Sequence, residues 1–407
     1  MVAVFLAALI YCGAVPVRES GSYGSLVPLP SVDSLECRLC SSPAKSSGKA
    51  GAAYSCRVEV FRSSGRLPGG SVSCDARGSL PLSLPAALVE SFYPGRLYSR
   101  SGGSLLLESG ASFRFTGRWN GRKGVFEVQS AEDLGWGKGF LSVLFRIRAV
   151  ARLWFRRLVA SWGRAGGLVL ALLSGSREYL DAGLSESFRR AGLSHVLALS
   201  GMHLSFFSSL FSRLAGRKRI WLRLLGVSCF VFFAGLSPSL FRAFLFVLLL
   251  SSCSRLHVPG VDGRTAMGAV FLLHVFLRPA DVQTAAFMLS YAAVAGILFL
   301  SAPVERRLAP CVPPALASPL AASLSAFLAT APVSFCLFGC VAPAGIVASI
   351  IVSPLVGVFM AVSLVSVVAG LAFPPLAPLC SFVLNQLFFL IERLAGFFAL
   401  FPGIGAG

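Results

Sequence analysis

The sequence predicts a polytopic α-helical membrane protein with an N-terminal extracytoplasmic OB-like β domain. Three observations predict it. Hydrophobic residues make up 55% of the 407-residue chain and charged residues only 13%, with mean hydropathy +0.77, whereas a soluble protein is about a quarter charged. Apolar runs of about 18 residues or more, the length that crosses a bilayer as a helix, recur from residue 194 onward. Ahead of them lies a polar, Ser- and Gly-rich stretch with short alternating segments, the pattern of β structure.

The chain opens with MVAVFLAALIYCGAVPV (1–17). It lacks the basic n-region of a secretory signal, so the expectation is a first membrane helix or an uncleaved signal-like segment. Residues 18–137 follow as the β domain. YSCRVEVF (54–61), GSLLLESG (103–110), ASFRFTG (111–117) and GVFEVQS (124–130) alternate between Gly and Ser breaks. Short strands at that spacing suit a small barrel or sandwich, and a five-stranded OB-type barrel is one candidate.

Four of the 11 cysteines (Cys37, Cys40, Cys56, Cys74) fall in this polar region. An even number fits disulfides in an oxidising compartment. The Cys37-x-x-Cys40 spacing also suits zinc or redox chemistry, but Cys56 and Cys74 form no second C-x-x-C, so disulfides are expected ahead of metal. The remaining cysteines lie in apolar segments and are expected to pack as small hydrophobes.

Residues 138–165 change character. KGFLSVLFRIRAVARLWFRRLVASWGR (138–164) carries seven basic residues and no acidic one. On a helical wheel Leu144, Ile147, Ala151, Trp154 and Leu158 form an apolar face, while Arg148, Arg152 and Arg156 recur at i, i+4, i+8 on the other. This pattern predicts a helix lying in the membrane interface. Its arginines are expected to contact lipid headgroups or to guide an anionic polymer.

Residues 166–407 form the membrane block. Spans are expected near 194–212, 220–236, 238–254, 265–277, 283–302, 316–339, 343–372 and 376–401, with a bend or break at Pro354. RLAGRKR (213–219), Arg255 with Arg264, and ERR (305–307) fall on one side if the spans alternate, while GLSPS (235–239) and RPADVQ (278–283) are nearly neutral. The positive-inside rule puts the basic loops in the cytoplasm and the β domain outside. Net charge is +19, which calls for anionic partners, either lipid headgroups or nucleic acid. Membrane attachment alone satisfies it.

Ionisable groups in lipid are costly and mark bundle interiors or watery cavities. GLSHVLALSGMHLSFF (192–207) places His195, Ser200, Gly201 and His203 in an apolar run. On one regular helix the histidines lie about 12 Å apart along the axis, too far to share a metal ion. They either hydrogen-bond neighbouring helices or line a path for a polar substrate. In SPSLFRAFLF (237–246), Pro238 and Ser239 look like a helix start with Arg242 one turn in. That arginine either snorkels or meets phosphate with its fork. In FMLSYAAVAG (287–296), Ser290, Ala292, Ala293 and Gly296 suit close helix packing. Asn385 and Gln386 are polar in an apolar helix, and Glu392 and Arg393 read as terminal and solvated. No G-x-x-x-x-G-K-[ST] loop, H-E-x-x-H or hydrolase-type metal cluster occurs in the sequence. The expectation is a non-enzyme without a cofactor.

SESFRRAGLSHVLALSGMHLSFF (185–207) resembles the ComEC competence family's run of Phe-x-x-x-Gly-x-x-His-x-x-Ala-hydrophobic-Ser-Gly-x-His. PSLFRA (238–243) resembles its Pro-Ser-x-x-Arg-Ala block, and FMLSYAAVAG its Phe-Gln-Leu-Ser block with Met288 for glutamine. ASIIVSP (348–354) resembles its Ala-Asn-Leu-Leu-Ala-x-Pro block with Ser349 for asparagine. The resemblance covers about residues 170–360. It implies an inner-membrane channel for DNA uptake in natural transformation, passing single-stranded DNA inward, with an OB-like domain outside. Many relatives carry a C-terminal metallo-β-lactamase-like domain. The sequence in hand ends at FPGIGAG, the form without it, so strand degradation is expected in another chain.

The implied partners are single-stranded DNA, membrane lipids, separate motor and nuclease proteins and, as an open option, further copies of the chain. Phosphates would be gathered by counterion release, and bases would stack on aromatics such as Phe113, Phe115 and Trp119, which equally suit a core. Two alternatives stay open: a secondary transporter of a small anionic solute, and a diverged membrane scaffold that transports nothing.

Overall fold

The computed structural model describes residues 23–46, 53–67, 70–92, 107–177, 179–216, 219–255, 260–401 and 403–405. The expected first membrane helix (1–17) lies outside the described residues, as does 103–106 of one expected strand. The chain divides between Leu158 and Val159 into two units, each described by itself.

The first unit is a β structure with strands β1 (Val32–Leu39), β2 (Ala44–Ser46), β3 (Ala53–Leu67), β4 (Gly70–Asp75) and β5 (Ser79–Pro85), helix α1 (Ala86–Phe92), then β6 (Ala111–Asn120) and β7 (Val125–Trp136). Five strands form a closed circuit. β1 pairs antiparallel with β3 and with β6; β6 pairs antiparallel with β7; β7 pairs in parallel with β5; and β5 returns antiparallel to β3. β2 and β4 add to β3. Side chains alternate across a strand, and β6 accordingly alternates buried and half-buried residues along most of its length.

The inward set includes Leu35, Val58, Leu82, Phe113, Phe115 and Phe126, each 1% exposed or less. Burying each such side chain contributes about 1.5–3 kcal/mol. β6 shifts register against β7 at Thr116/Gly117. A Cβ on Gly117 would stand 2.1 Å from the Glu127 carbonyl oxygen, so only glycine fits this approach. The expected strands at 54–61, 111–117 and 124–130 fall within β3, β6 and β7. Residues 107–110 are not strand, and β1 and β5 are strands that the expectation did not include, although SLPLSLP of β5 alternates strictly and buries every leucine.

Helix α2 (Phe140–Ala160) carries the Arg-rich segment. Ala149 and Leu153 pack against Trp136. Phe140, Val143, Ile147 and Trp154 are exposed.

The second unit contains α3 (Gly163–Ser174), α4 (Ala182–Arg190), α5 (Ser194–Leu197), α6 (Gly201–Ala215), α7 (Ile220–Ala234), α8 (Pro238–Arg255), α9 (Gly263–Leu277), α10 (Ala285–Leu308), α11 (Pro314–Phe338), strand β8 (Cys340–Val341), α12 (Gly345–Ala372), α13 (Ala377–Phe398) and strand β9 (Ile404–Gly405), which pairs with β8. α8, α10, α11, α12 and α13 are long and apolar enough to cross a membrane, and α3, α7 and α9 are shorter apolar helices.

Four expectations are corrected. The span expected at 194–212 is two helices, because Ala198 and Ser200 are extended, so the two histidines do not share one helix. α12 runs unbroken through Pro354. The described cysteines of this unit are exposed or half-buried rather than packed inside. Glu392 is not merely solvated: Arg164 at the start of α3 bonds it and also lies 3.3 Å from Asp181, whose carboxylate caps α4 at the Leu184 N–H. Gly296 faces α11 so closely that a Cβ would meet the Ser325 carbonyl oxygen at 2.4 Å, which bears out the packing role of that small-residue stretch.

Candidate functional site

Three separated sequence segments meet around Arg242. Ser200 precedes α6, and His203 is the third residue of that helix. The Ser200 backbone N–H donates to His203 Nδ1 at 3.3 Å, with the Ser200 hydroxyl 3.2 Å from the same nitrogen. Histidine here takes the place of the Glu or Gln of a capping box. A backbone N–H can only donate, so Nδ1 accepts and the ring proton sits on Nε2. His203 is fully buried, and Nε2 has no hydrogen-bond partner. A buried donor left unmade costs about 1–3 kcal/mol, and such groups point to function.

Gly201 lies within van der Waals reach of Arg242. A Cβ at Gly201 would lie 3.6 Å from Arg242 Nη2 and 3.7 Å from Ala243 Cβ. Arg242 stands one turn into α8, whose start is capped by Ser237 through the Leu240 N–H. Its Nε donates to Ser290 Oγ on α10 at 2.8 Å, and its guanidinium carbon lies 5.8 Å from the Tyr291 ring centre. Ser237 donates to the Leu199 carbonyl at 3.4 Å, and Ser239 to the Ala286 carbonyl at 3.3 Å. Arg242 thus points into the bundle and not out to headgroups. His195 is not part of this centre; it lies on an exposed face of α5 before the break. Ser349 turns its hydroxyl back onto the Gly345 carbonyl of its own helix.

A second polar group adjoins Arg242, and of its members only Tyr291 lies in a sequence motif, FMLSYAAVAG. His274 Nδ1 lies 3.1 Å from the Tyr291 hydroxyl, and its Nε2 lies 3.1 Å from Asp281 Oδ2. Arg278 pairs with the same carboxylate at 3.3 Å. The available signal is one histidine inside the apolar run 263–277, an ionisable residue where lipid is expected. All these groups gather at the N-terminal ends of α6, α8 and α10 and the C-terminal end of α9. The basic clusters sit at the opposite helix ends. A hollow lined by Ser209, Ser212, Arg213 and Gly216 also lies at the far end of α6, away from this centre.

In the β unit the Arg-rich helix is inside out relative to expectation. Arg152 Nε lies 3.3 Å and Arg156 Nη2 3.0 Å from Glu108 Oε1, and all three side chains are 5% exposed or less. Ser42 donates to Glu108 and Arg148 to Ser109, both at 2.5 Å. Burial alone would push the Glu108 carboxyl up; Arg152 and Arg156, then Ser42 and Arg148, outweigh it and hold it below the usual carboxylate range. Arg152 and Arg156 are therefore counter-ions of a buried carboxylate rather than a surface for headgroups or DNA. Two effects compete for the arginine face, and a buried Glu108 wins because an unpaired carboxylate there is costlier than exposing Ile147 and Trp154.

Phe113 and Phe115 stack at 5.5 Å inside the barrel and are unavailable to bases. Trp119 is half-buried against the same core. The four cysteines of this unit are free thiols and not disulfides. Cys37 Sγ points to the Phe113 carbonyl at 3.7 Å. Among the described residues no group of three or more His, Cys, Asp or Glu is placed to hold a metal ion.

A β unit followed by a block of apolar helices, with a charged centre buried among them, defines a multi-pass membrane protein. The chain belongs to the Competence protein family, whose model matches residues 172–406. It is similar to Competence protein ComA of Neisseria gonorrhoeae, 30% identical over 102 residues, or 20% of this chain and 15% of that protein. It is also similar to ComE operon protein 3 of Bacillus subtilis (strain 168), 28% identical over 149 residues, or 35% of this chain and 19% of that protein. The matches thus span less than a fifth of either relative's length. No solved structure matches the chain.

Proposed function

We propose that the chain is the membrane channel that passes single-stranded DNA into the cytoplasm during natural transformation, without reading sequence. One observation carries this reading: Ser200–Gly201, Arg242 and Ser290, far apart in sequence, converge on one half-buried cation inside the helical block. Arginine forks match phosphate oxygens, and a guanidinium between a bare glycine backbone and a serine hydroxyl offers weak, repeatable contacts. The His203 Nε2–H adds a donor without a partner.

The centre lies at the helix ends opposite the basic loops. With those loops in the cytoplasm of an inner-membrane protein, it stands at the outer mouth and the β unit outside. The β1–β3–β5–β7–β6 circuit, with α1 between β5 and β6, supports an OB-type fold. Exposed Phe61, with Arg38 5.4 Å over its ring, replaces Phe113 and Phe115 as the stacking platform. The chain performs no chemistry on the strand and holds no cofactor. A separate motor or a gradient supplies the pull.

The test is labelled-donor uptake in competent cells with and without the chain, scored for DNA in the cytoplasm. Loss on deletion, return with the wild-type copy, and failure of Arg242→Ala and His203→Ala to restore it at normal expression are expected. Unchanged uptake on deletion overturns the channel reading and leaves small-anion transport or a scaffold. Full uptake in both variants overturns the residue roles.

A further inference from the structure

The channel reading makes no use of His274, Asp281 or Tyr291. Yet these three side chains are 0%, 7% and 6% exposed, in a block of apolar helices. Edges or faces of Phe241 and Phe287 pack on the His274 ring at 4.9 Å, and Phe271 packs on Tyr291 at 5.0 Å. Ionisable chains sealed in this way in a membrane domain mark proton paths. The charged and titratable groups facing His274 come from every neighbouring element: Tyr291 from α10, Arg242 behind it from α8, and Asp281 with Arg278 from the turn after α9.

The hydrogen bonds suit two protonation states. With His274 neutral, Nε2–H donates to Asp281 and Nδ1 accepts from the Tyr291 hydroxyl. Adding a proton at Nδ1 makes it a donor to the tyrosine oxygen. The tyrosine hydroxyl then turns to the Val270 carbonyl, already 3.4 Å away. Nothing is left unpaired in either state, which a purely structural histidine does not require. The added charge is opposed by Asp281, which Arg278 holds at the partly exposed end of the group. The proton reaches Nδ1 through the Tyr291 hydroxyl, which gives its own proton to the ring and takes another at the oxygen, while Asp281 balances the charge from the Nε2 side.

We propose that His274, Asp281 and Tyr291 form a proton-binding site coupled to Arg242, so that passage of a polyanion past Arg242 is linked to proton uptake and release. The proposal rests on the channel reading. A proton taken up at His274 Nδ1 adds one positive charge beside the Tyr291–Arg242 contact and strengthens the hold on a phosphate; its release weakens that hold. Alternate strong and weak contact is what net movement of a charged polymer needs.

The test uses the full chain in liposomes with a trapped pH dye and labelled single-stranded DNA. An imposed electrical potential without a pH gradient tests the channel alone. An imposed pH gradient at zero potential tests the coupling. The expected result is DNA entry under both, with dye-detected proton flux that depends on DNA in the second. His274→Gln and Tyr291→Phe, which keeps the ring, are expected to lose pH-driven entry and proton flux while retaining potential-driven entry. Entry under potential alone in the wild type overturns the coupling and leaves the channel. Entry under neither overturns the channel reading, and the coupling with it. Retention of pH-driven entry in both variants overturns the assignment to these residues.

Discussion

Arg242 donates from Nε to Ser290 at 2.8 Å across 48 positions of sequence, and this bond ties two of the membrane segments that the sequence marks out. Its partner and its fork make separate predictions. Arg242→Lys keeps the charge but loses both the Nε bond and the bidentate geometry. DNA delivery is expected to fall about tenfold or more, since a hydrogen bond to a charged group is worth roughly 1.5–3 kcal/mol. Ser290→Ala, which leaves the arginine in place, is expected to fall less. Uptake assays at matched expression check both.

His203 separates capping from transport. Gln at this position keeps an acceptor for the Ser200 N–H but redirects the remaining donor. His203→Gln is expected to preserve thermal stability in detergent and to lower uptake, whereas His203→Ala loses both, at about 0.5–2 kcal/mol for the cap. Normal uptake in His203→Gln would reduce His203 to a cap.

Glu108→Gln removes the charge that Arg152 and Arg156 share. Breaking a buried ion pair from one side costs about 3–5 kcal/mol, so the denaturant midpoint of the full chain in detergent, read from its β-sheet signal, is expected to fall. The pH dependence follows from the lowered carboxyl. Its stabilisation is fully present above the unfolded carboxyl value of about 4.3 and is lost as pH falls through the lower folded value. Glu108→Gln is expected to lack that acid-side loss.

Thiol reactivity distinguishes the free cysteines of the β unit from disulfides. Burial pushes the Cys37 thiol well up and Cys56 up to about 12, while Cys40 is exposed and Cys74 half-buried. Maleimide is expected to label Cys40 and Cys74 in the folded chain and all four of these only after denaturation without reductant. If all four resist labelling until a reductant is added, the free-thiol state is wrong.

The membrane class, the helix at 140–160 and most long spans were legible in the sequence, because hydropathy and the arginine spacing are local properties. So were Ser200, His203 and Arg242, as polar residues in apolar runs, with Gly201 beside them; Ser290 was legible only as a small residue suited to helix packing. Their meeting was not legible, since it depends on which helix ends pack together. The break before Gly201 was also hidden, because an apolar run does not show where its backbone bonds stop. His274 carried a signal, as an ionisable residue in an apolar run, but Asp281 in the turn after it carried none, and only the packing of the helices brings the two to Tyr291.

By itself, then, the sequence determined that the chain lives in a membrane and which polar groups it carries there. Only the tertiary structure decided which way those groups face. Arg152 and Arg156 show the reason. Their spacing defines a helix face, but Glu108, distant in sequence and buried, decided that this face turns inward, because a charge out of water must find its partner before an apolar side chain finds its own.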